Sequence, residues 1–375
     1  MALSRSTYSV PGTPRVYIDN LLYGRAVGMV FDQPGLNAKI TNAGSDSAIQ
    51  DTVGVDPRLL WDLDPLRTSS INFSSLPSNT YQIYSKLRFI DSGDEFQKLV
   101  STSNYAAVLA HNLNSVNSQT FRVRVWGEYM SGGISQNSEM ISASSIVGNF
   151  DEDVTSDGFI ISEIDPTYDI YNVIAMRIDP STSGEEFSEG SETLSIGSFS
   201  FGTYLDFPNS PDLNVKQSIS HDGVSTTRTL AGKDLTNIRY SGAPNWGDLP
   251  PFTNTKADTY NYKGTGFTGR KSWDMKFSYV DKTDMFNSIM SGSSAGTNFR
   301  IVPVGESSYE DGFRADESIV GTYLSRTLGG SLKHVLQPDN TKDEFHFVKL
   351  DQNSTDIQQV AHGVFDISLK FIQVW

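Results

Sequence analysis

The stretch Ser272-Trp273-Asp274-Met275-Lys276-Phe277-Ser278-Tyr279 decides the fold class. Trp273, Met275, Phe277 and Tyr279 stand at every second position, with Ser272, Asp274, Lys276 and Ser278 between them. Successive side chains of a strand point to opposite faces, so this spacing predicts a β-strand with one face on a core and the other in water. The same period recurs in Phe121-Arg122-Val123-Arg124-Val125, and in Phe365, Ile367, Leu369 and Phe371 near the C-terminus. Half-buried strands of this kind belong to antiparallel sheets. At Leu194, Ile196, Phe199 and Phe201 the phase slips across Gly197, which predicts a β-bulge there.

Helical periodicity is confined to two-turn stretches, Asp94–Val100 and Lys282–Met290. Loops rich in Gly, Ser, Asn, Asp and Pro separate the strands, most clearly Ser181–Ser191 and Ser241–Thr255. Many short strands with turn punctuation predict a mostly β protein of sandwich or barrel type. A length of 375 residues predicts two domains. The prolines of Phe207-Pro208-Asn209-Ser210-Pro211 place the boundary there. The expected organisation is an N-terminal arm or strand extension over 1–60, a first β-domain over 61–207 and a second over 208–375. The last alternating strand runs to Trp375, so C-terminal truncation is expected to disturb a core.

Composition narrows the function. There is no cysteine, which excludes disulfides, thiolate metal sites and cysteine nucleophiles. The net charge is −15, which argues against binding nucleic acid or an anionic membrane surface. Residues 1–205 hold 24 acids and 12 bases; residues 206–375 hold 20 and 17. Asp151–Glu192 alone carries 12 acids against Arg177, a run that reads as solvated loops, with a cation site as the sharper alternative. The longest apolar run, Tyr105–Ala110, is far shorter than the roughly 20 residues of a membrane-spanning helix. Met1–Thr7 lacks the apolar centre of a secretory signal, so no leader is expected.

Catalytic motifs fail on context. Gly292-Ser293-Ser294-Ala295-Gly296 matches the nucleophile-elbow pattern, but a possible helix precedes it and a strand-like segment follows, the reverse of what an elbow needs. Gly264-Thr265-Gly266-Phe267-Thr268-Gly269 matches a dinucleotide fingerprint without the strand before it or the helix after it. Asp153, Thr155, Asp157 and Gly158 resemble half of an EF-hand loop, but Ile164 stands where the bidentate Glu belongs. A looser Ca²⁺ site of carbonyls and carboxylates stays open there. His111, His221, His334, His346 and His362 show no zinc spacing. The expectation is a non-enzymatic chain with no cofactor and no assigned metal ligand.

Tyr105-Ala106-Ala107-Val108-Leu109-Ala110-His111-Asn112-Leu113 resembles the strand-and-turn signature of galactose-binding-like jelly rolls in tailed-bacteriophage virion proteins. Tyr171–Ile178, followed by Ile196, Gly197 and Gly202, resembles a later strand and turn of those domains. Gly269–Tyr279, Leu328–Leu332, Gln337-Pro338-Asp339 and the strand to Trp375 resemble phage tail structural proteins, and Thr13–Asp19 resembles openings of marine-phage virion proteins. The resemblance is diffuse but collinear. It implies a jelly roll followed by a tail-protein-like β-domain. It also implies a ring-forming tail or baseplate component, similar to distal tail proteins, assembled in the host cytoplasm and carried in the virion. The partners implied are further copies in a hexamer or trimer, and other tail proteins.

Jelly rolls of this type often bind glycans, so the resemblance also implies an alternative, a carbohydrate-binding or host-recognition module. Its candidate residues are His111, Asn112, Trp126 and Tyr129, aromatic platform and polar groups together. Beside that stands a plainer reading, in which His111 and Asn112 satisfy backbone groups in the turn after a buried strand. Trp126 alternates onto the face of Arg122 and Arg124. A hydrolase of bacterial surface polymers, the third class, has no motif in its support.

Overall fold

The alternating segments fold as antiparallel strands, and the protein is mostly β. The computed structural model describes residues 12–29, 35–40, 46–48, 57–64, 67–76, 80–88, 103–114, 120–131, 134–139, 145–147, 158–164, 171–180, 187, 193–220, 224–238, 270–286 and 318–374. The expected helix Asp94–Val100, the loop Ser241–Thr255 and both glycine-rich catalytic motifs lie outside them, as do residues 153–157 of the EF-hand-like stretch.

The N-terminal half holds β1 (Arg15–Asp19), α1 (Asn20–Ala26), β2 (Gly35–Ile40), β3 (Asp46–Ala48), β4 (Ser69–Asn72), β5 (Thr80–Arg88), β6 (Tyr105–His111), β7 (Phe121–Ser131), β8 (Ile134–Glu139), β9 (Ser145–Val147), β10 (Gly158–Glu163), β11 (Tyr171–Pro180), β12 (Thr193–Ile196) and β13 (Ser198–Asp206). The C-terminal half holds β14 (Lys216–Ser220), β15 (Val224–Arg228), β16 (Asp234–Ile238), β17 (Arg270–Asp281), α2 (Lys282–Met285), a π-helical turn (Ile319–Leu324), β18 (His334–Gln337), β19 (His346–Leu350), β20 (Ile357–Ala361) and β21 (Val364–Gln373).

Two sheets face each other in the N-terminal half. One has the order β3-β2-β5-β11-β7-β8. The other is part of a larger sheet of order β14-β17-β21-β19-β18-β1-β13-β6-β10-β9. Phe121, Val123 and Val125 of β7 and Ile174, Met176 and Ile178 of β11 share a core with Ala106 and Val108 of β6 and Phe199 and Phe201 of β13. Burying each of the larger side chains is worth about 1.5–3 kcal/mol, which fixes the phase of the alternation. The opposite side of β6 is buried too: Tyr105, Ala107 and Leu109 join Tyr17, Phe159, Phe345 and Phe347 in a second core. Burial on both faces explains why β6 reads as a continuous apolar run.

A third core lies in the C-terminal half, where Trp273, Met275 and Phe277 of β17 and Ile367, Leu369 and Phe371 of β21 pack with Val16, Ile18 and Tyr323. Phe207, just after β13, stacks on Phe277 with ring centroids 4.6 Å apart. β13 and β17 are five places apart in strand order. A flat sheet would separate them by about 24 Å, so the sheet curls to bring these faces together.

Three sequence expectations are corrected. Tyr279 is exposed, and Val280 takes the next core position. The β17–β21 register shifts between Phe277 and Val280, and Tyr279 has φ +60° while its N–H donates to Asp366 Oδ1 at 3.1 Å. The slip at Gly197 is not a bulge within one strand. It separates β12, which pairs β4, from β13 in the large sheet. The bulge is on β6, at Ala110 (φ +55°), whose carbonyl and that of Leu109 both accept from the Gly197 N–H. The helix begun at Lys282 ends at Met285, because Phe286 is already extended.

Residues 15–19, within the expected arm or strand extension, form a strand inside the large sheet. β1 pairs β13 on one side and β18 on the other. Arg15 makes two 2.7 Å hydrogen bonds to the Asp206 carboxylate, and Tyr17 Oη donates to Gln337 Oε1 at 2.8 Å. Gly202 lies opposite Asp19, and a Cβ there would sit 1.9 Å from the Ile18 carbonyl oxygen. Backbone cannot yield as a side chain does, so Gly202→Ala is expected to lower unfolding stability by about 3 kcal/mol or more. Urea unfolding at constant m-value checks this; a loss under about 1 kcal/mol would show that the two strands separate freely.

Candidate functional site

The outer face of the six-stranded sheet carries a polar–aromatic array. Alternation along β7 sends Phe121, Val123 and Val125 inward and leaves Arg122, Arg124, Trp126 and Glu128 on the outer face, partly exposed. On β11, Asp179 is buried and Arg177 partly exposed, and Arg177 lies opposite both Arg124 and Tyr84 in the register. Arg124 and Arg177 share the Asp179 carboxylate, the latter at 3.3 Å. The Arg177 guanidinium lies 5.1 Å from the centre of the Trp126 ring. Lys86 Nζ donates to Glu128 Oε1 at 2.7 Å and lies 5.2 Å from the Tyr84 ring centre. Long cationic side chains thus lie flat over the strands, covering apolar surface with their stems. Trp126 Nε1 is buried with no acceptor among the described residues.

His111 and Asn112 stand on the other sheet, at the end of β6. His111 is fully buried, and its Nδ1 accepts a long 3.4 Å hydrogen bond from the Leu113 N–H. The Asn112 amide is engaged by backbone: Nδ2 donates to the Thr193 carbonyl at 3.0 Å and Oδ1 accepts from the Ser195 N–H at 2.7 Å. Asn112 thereby ties the end of β6 to β12, its own N–H also donating to the Ser195 carbonyl at 3.2 Å. Trp126 lies on β7, in the six-stranded sheet, so His111 and Asn112 belong to a different layer. Tyr129 lies on β7 opposite Tyr171, and its side chain is outside the described residues.

Two buried polar groups escaped the sequence reading. Asp19 caps α1, its Oδ1 accepting from the Leu22 N–H at 2.7 Å and its Oδ2 from the Ser200 hydroxyl at 2.8 Å. Burial raises its carboxyl above the usual range, against those hydrogen bonds and the Arg25 charge. An Asp just before Asn-Leu-Leu-Tyr is a capping signal that was there to be read. The other is the pair Tyr323–His334, both fully buried, with Tyr323 Oη and His334 Nε2 3.1 Å apart and His334 Nδ1 2.9 Å from the Leu332 carbonyl. That carbonyl can only accept, so Nδ1 carries the proton and Nε2 accepts from the tyrosine. No three His, Asp or Glu side chains among the described residues are grouped to hold a metal ion. No described helix is long and apolar enough to cross a membrane.

The array's charges are paired, Arg124 and Arg177 with Asp179 and Lys86 with Glu128. Chemically it can hold a polar or anionic surface. No protein-family model matches the chain, and no curated protein is significantly similar to it in sequence.

Two outcomes follow. Asn112→Ala strands a backbone donor and acceptor near the β12 ladder and is expected to cost about 1–3 kcal/mol, read from the thermal melt; an unchanged melt would mean water replaces the amide fully. Burial, opposed by the Leu332 hydrogen bond, lowers the His334 pKa from 6.5 to about 4. Between those values the unfolded chain binds the proton and the folded chain does not. Stability contributed by neutral His334 is therefore complete above pH 6.5 and lost as pH falls toward 4, about 3 kcal/mol in all. His334→Gln should flatten this slope relative to the unsubstituted protein; parallel pH profiles would refute it.

Proposed function

We propose that this chain is a non-enzymatic structural component of a tailed-phage virion, a ring-forming tail or baseplate protein that joins tail parts. In this reading the N-terminal strands form a galactose-binding-like jelly roll and the C-terminal strands a tail-protein-like β-domain, each presenting edges to neighbouring subunits. The observation that supports it best is β14. It ends the strand order of the large sheet among the described residues, and four of its five residues are exposed. An open edge is a template for pairing with another chain. Repeated head-to-tail contacts close into a ring when the rotation between subunits allows. The collinear resemblance to virion proteins supplies the biological setting.

The glycan-binding alternative has less behind it. Arg177 lies over the Trp126 ring, and the Asn112 amide is occupied by backbone. Native mass spectrometry of the full chain, with negative-stain images of the same sample, tests the structural reading. A closed sixfold or threefold ring is expected. A monomer at every concentration, alone and with the other tail proteins, would overturn it.

A further inference from the structure

Tyr279 is the one aromatic ring among the exposed large apolar side chains of the described residues, at 76% exposure. An exposed tyrosine is ordinary; one set there by a strained backbone is not. Phe277 faces Ile367 and Val280 faces Phe365, so Ser278 and Tyr279 together oppose Asp366. This is a β-bulge, and bulges re-aim side chains. Tyr279 holds φ +60° in it, a left-handed conformation that glycine takes freely and tyrosine does not. The surroundings enforce it. Asp366 Oδ1 accepts from the Tyr279 N–H at 3.1 Å, and its Oδ2 pairs with Lys276 Nζ at 3.0 Å. The Ser278 hydroxyl donates to Asp212 Oδ2 at 2.7 Å, and the Asp212 N–H donates to the Lys276 carbonyl at 2.8 Å. A ring left mostly in water gains little from packing, so the reason for the strain lies in what the ring meets outside the fold.

The groups around the bulge describe that ligand. The Asp212 and Asp366 carboxylates accept hydrogen bonds. The Lys276 ammonium, the Ser278 hydroxyl and the exposed Gln358 amide, whose residue pairs with Asp366 from β20, donate them. The Lys276 pKa is raised, first by the hydrogen bond to Asp366 and further by the charges of Asp212 and Tyr279, so phenol and ammonium share one small area. Both signs of charge stand beside the ring, which selects neither a polyanion nor a polycation. The core of a protein interface is depleted of charge and sealed from water, and this surface is neither. A neutral sugar fits: its C–H face stacks on an aromatic ring, and its hydroxyls both donate and accept. We propose that Tyr279, with Asp212, Lys276, Ser278, Asp366 and Gln358, forms a binding site for a neutral pyranose unit of a glycan. The site lies in the C-terminal half, on β17, β20 and β21 and the segment before β14, and shares no residue with the pair Trp126 and His111. It does not depend on the ring reading.

The test titrates the full chain with maltotetraose, cellotetraose and chitotetraose, by calorimetry and saturation-transfer NMR. Saturable binding of at least one is expected. Tyr279→Gly should weaken it about 10-fold, the factor that aromatic stacking supplies. Gln358→Ala should weaken it about 3-fold, as loss of one hydrogen bond does. Tyr279→Phe keeps the ring and should keep most of the affinity. The melting temperature of Tyr279→Gly should hold level or rise, because glycine suits the bulge. Binding by none of the three sugars, or binding that survives Tyr279→Gly, overturns the site. A lower melting temperature in Tyr279→Gly overturns the strain from which the site is argued. Native mass spectrometry of the same samples reads assembly separately. Tyr279→Gly that loses assembly and keeps sugar binding assigns the ring to a protein contact and overturns the sugar; sugar binding by a chain that never assembles upholds the site while the ring reading fails.

Discussion

Five residues, Arg15–Asp19, carry hydrogen-bonded neighbours on both edges, and the large sheet depends on them. β13 and β18 do not pair with each other; β1 lies between them. Its side chains divide accordingly, Val16 and Ile18 into the C-terminal core and Tyr17 into the core on the opposite face. The contacts it makes span the chain: Arg15 meets Asp206, 191 residues away, and Tyr17 meets Gln337, 320 away. Closing such long loops costs entropy before any contact repays it, so these pairings belong late in folding. The fit at the end of β1 is correspondingly tight. Gly202 has no room for a methyl group because the chain turns from β1 into α1 directly against it.

What the sequence revealed and what it hid follow from the same distinction between local and distant constraints. Alternation is local, and it marked the buried faces of β7, β17 and β21 at the residues where they occur. It failed where a distant partner overrides the period. Tyr279 leaves its face because the Asp366 carboxylate, 87 residues on, takes its N–H. Gly197 breaks the phase because β12 and β13 belong to different sheets, which no window around Gly197 contains. The place of the strand at 15–19 within a sheet was hidden for the same reason. Its partners, β13 and β18, begin at residues 198 and 334.

The candidate residues divide along the same line. Placing Trp126 with Arg122 and Arg124 needed only the period of β7, and the three do share a face. The plain reading of Asn112 as a turn residue also rested on local chemistry, and its amide does bond backbone. What the sequence could not supply is Asp179 as the carboxylate shared by Arg124 and Arg177, since the two arginines stand 53 residues apart and meet only by register. Nor could it show that Tyr323 and His334 face one another inside a core. Buried pairs of this kind cost desolvation on both sides and persist because every proton has an acceptor.

The body and its exposed stretch obey opposite economies of surface. In the body, even the charged outer face of the six-stranded sheet is internally paired. Arginine stems cover the strands, and Asp179 is answered twice. Between 213 and 235 charge is paired as well, Arg228 with Asp234, but the large apolar side chains are left uncovered. Leu213 and Leu230 lie in water although the same chain curls a sheet to stack Phe207 on Phe277. A sequence able to close that core is able to bury two leucines, so leaving them out is a property of the stretch rather than a failure of packing.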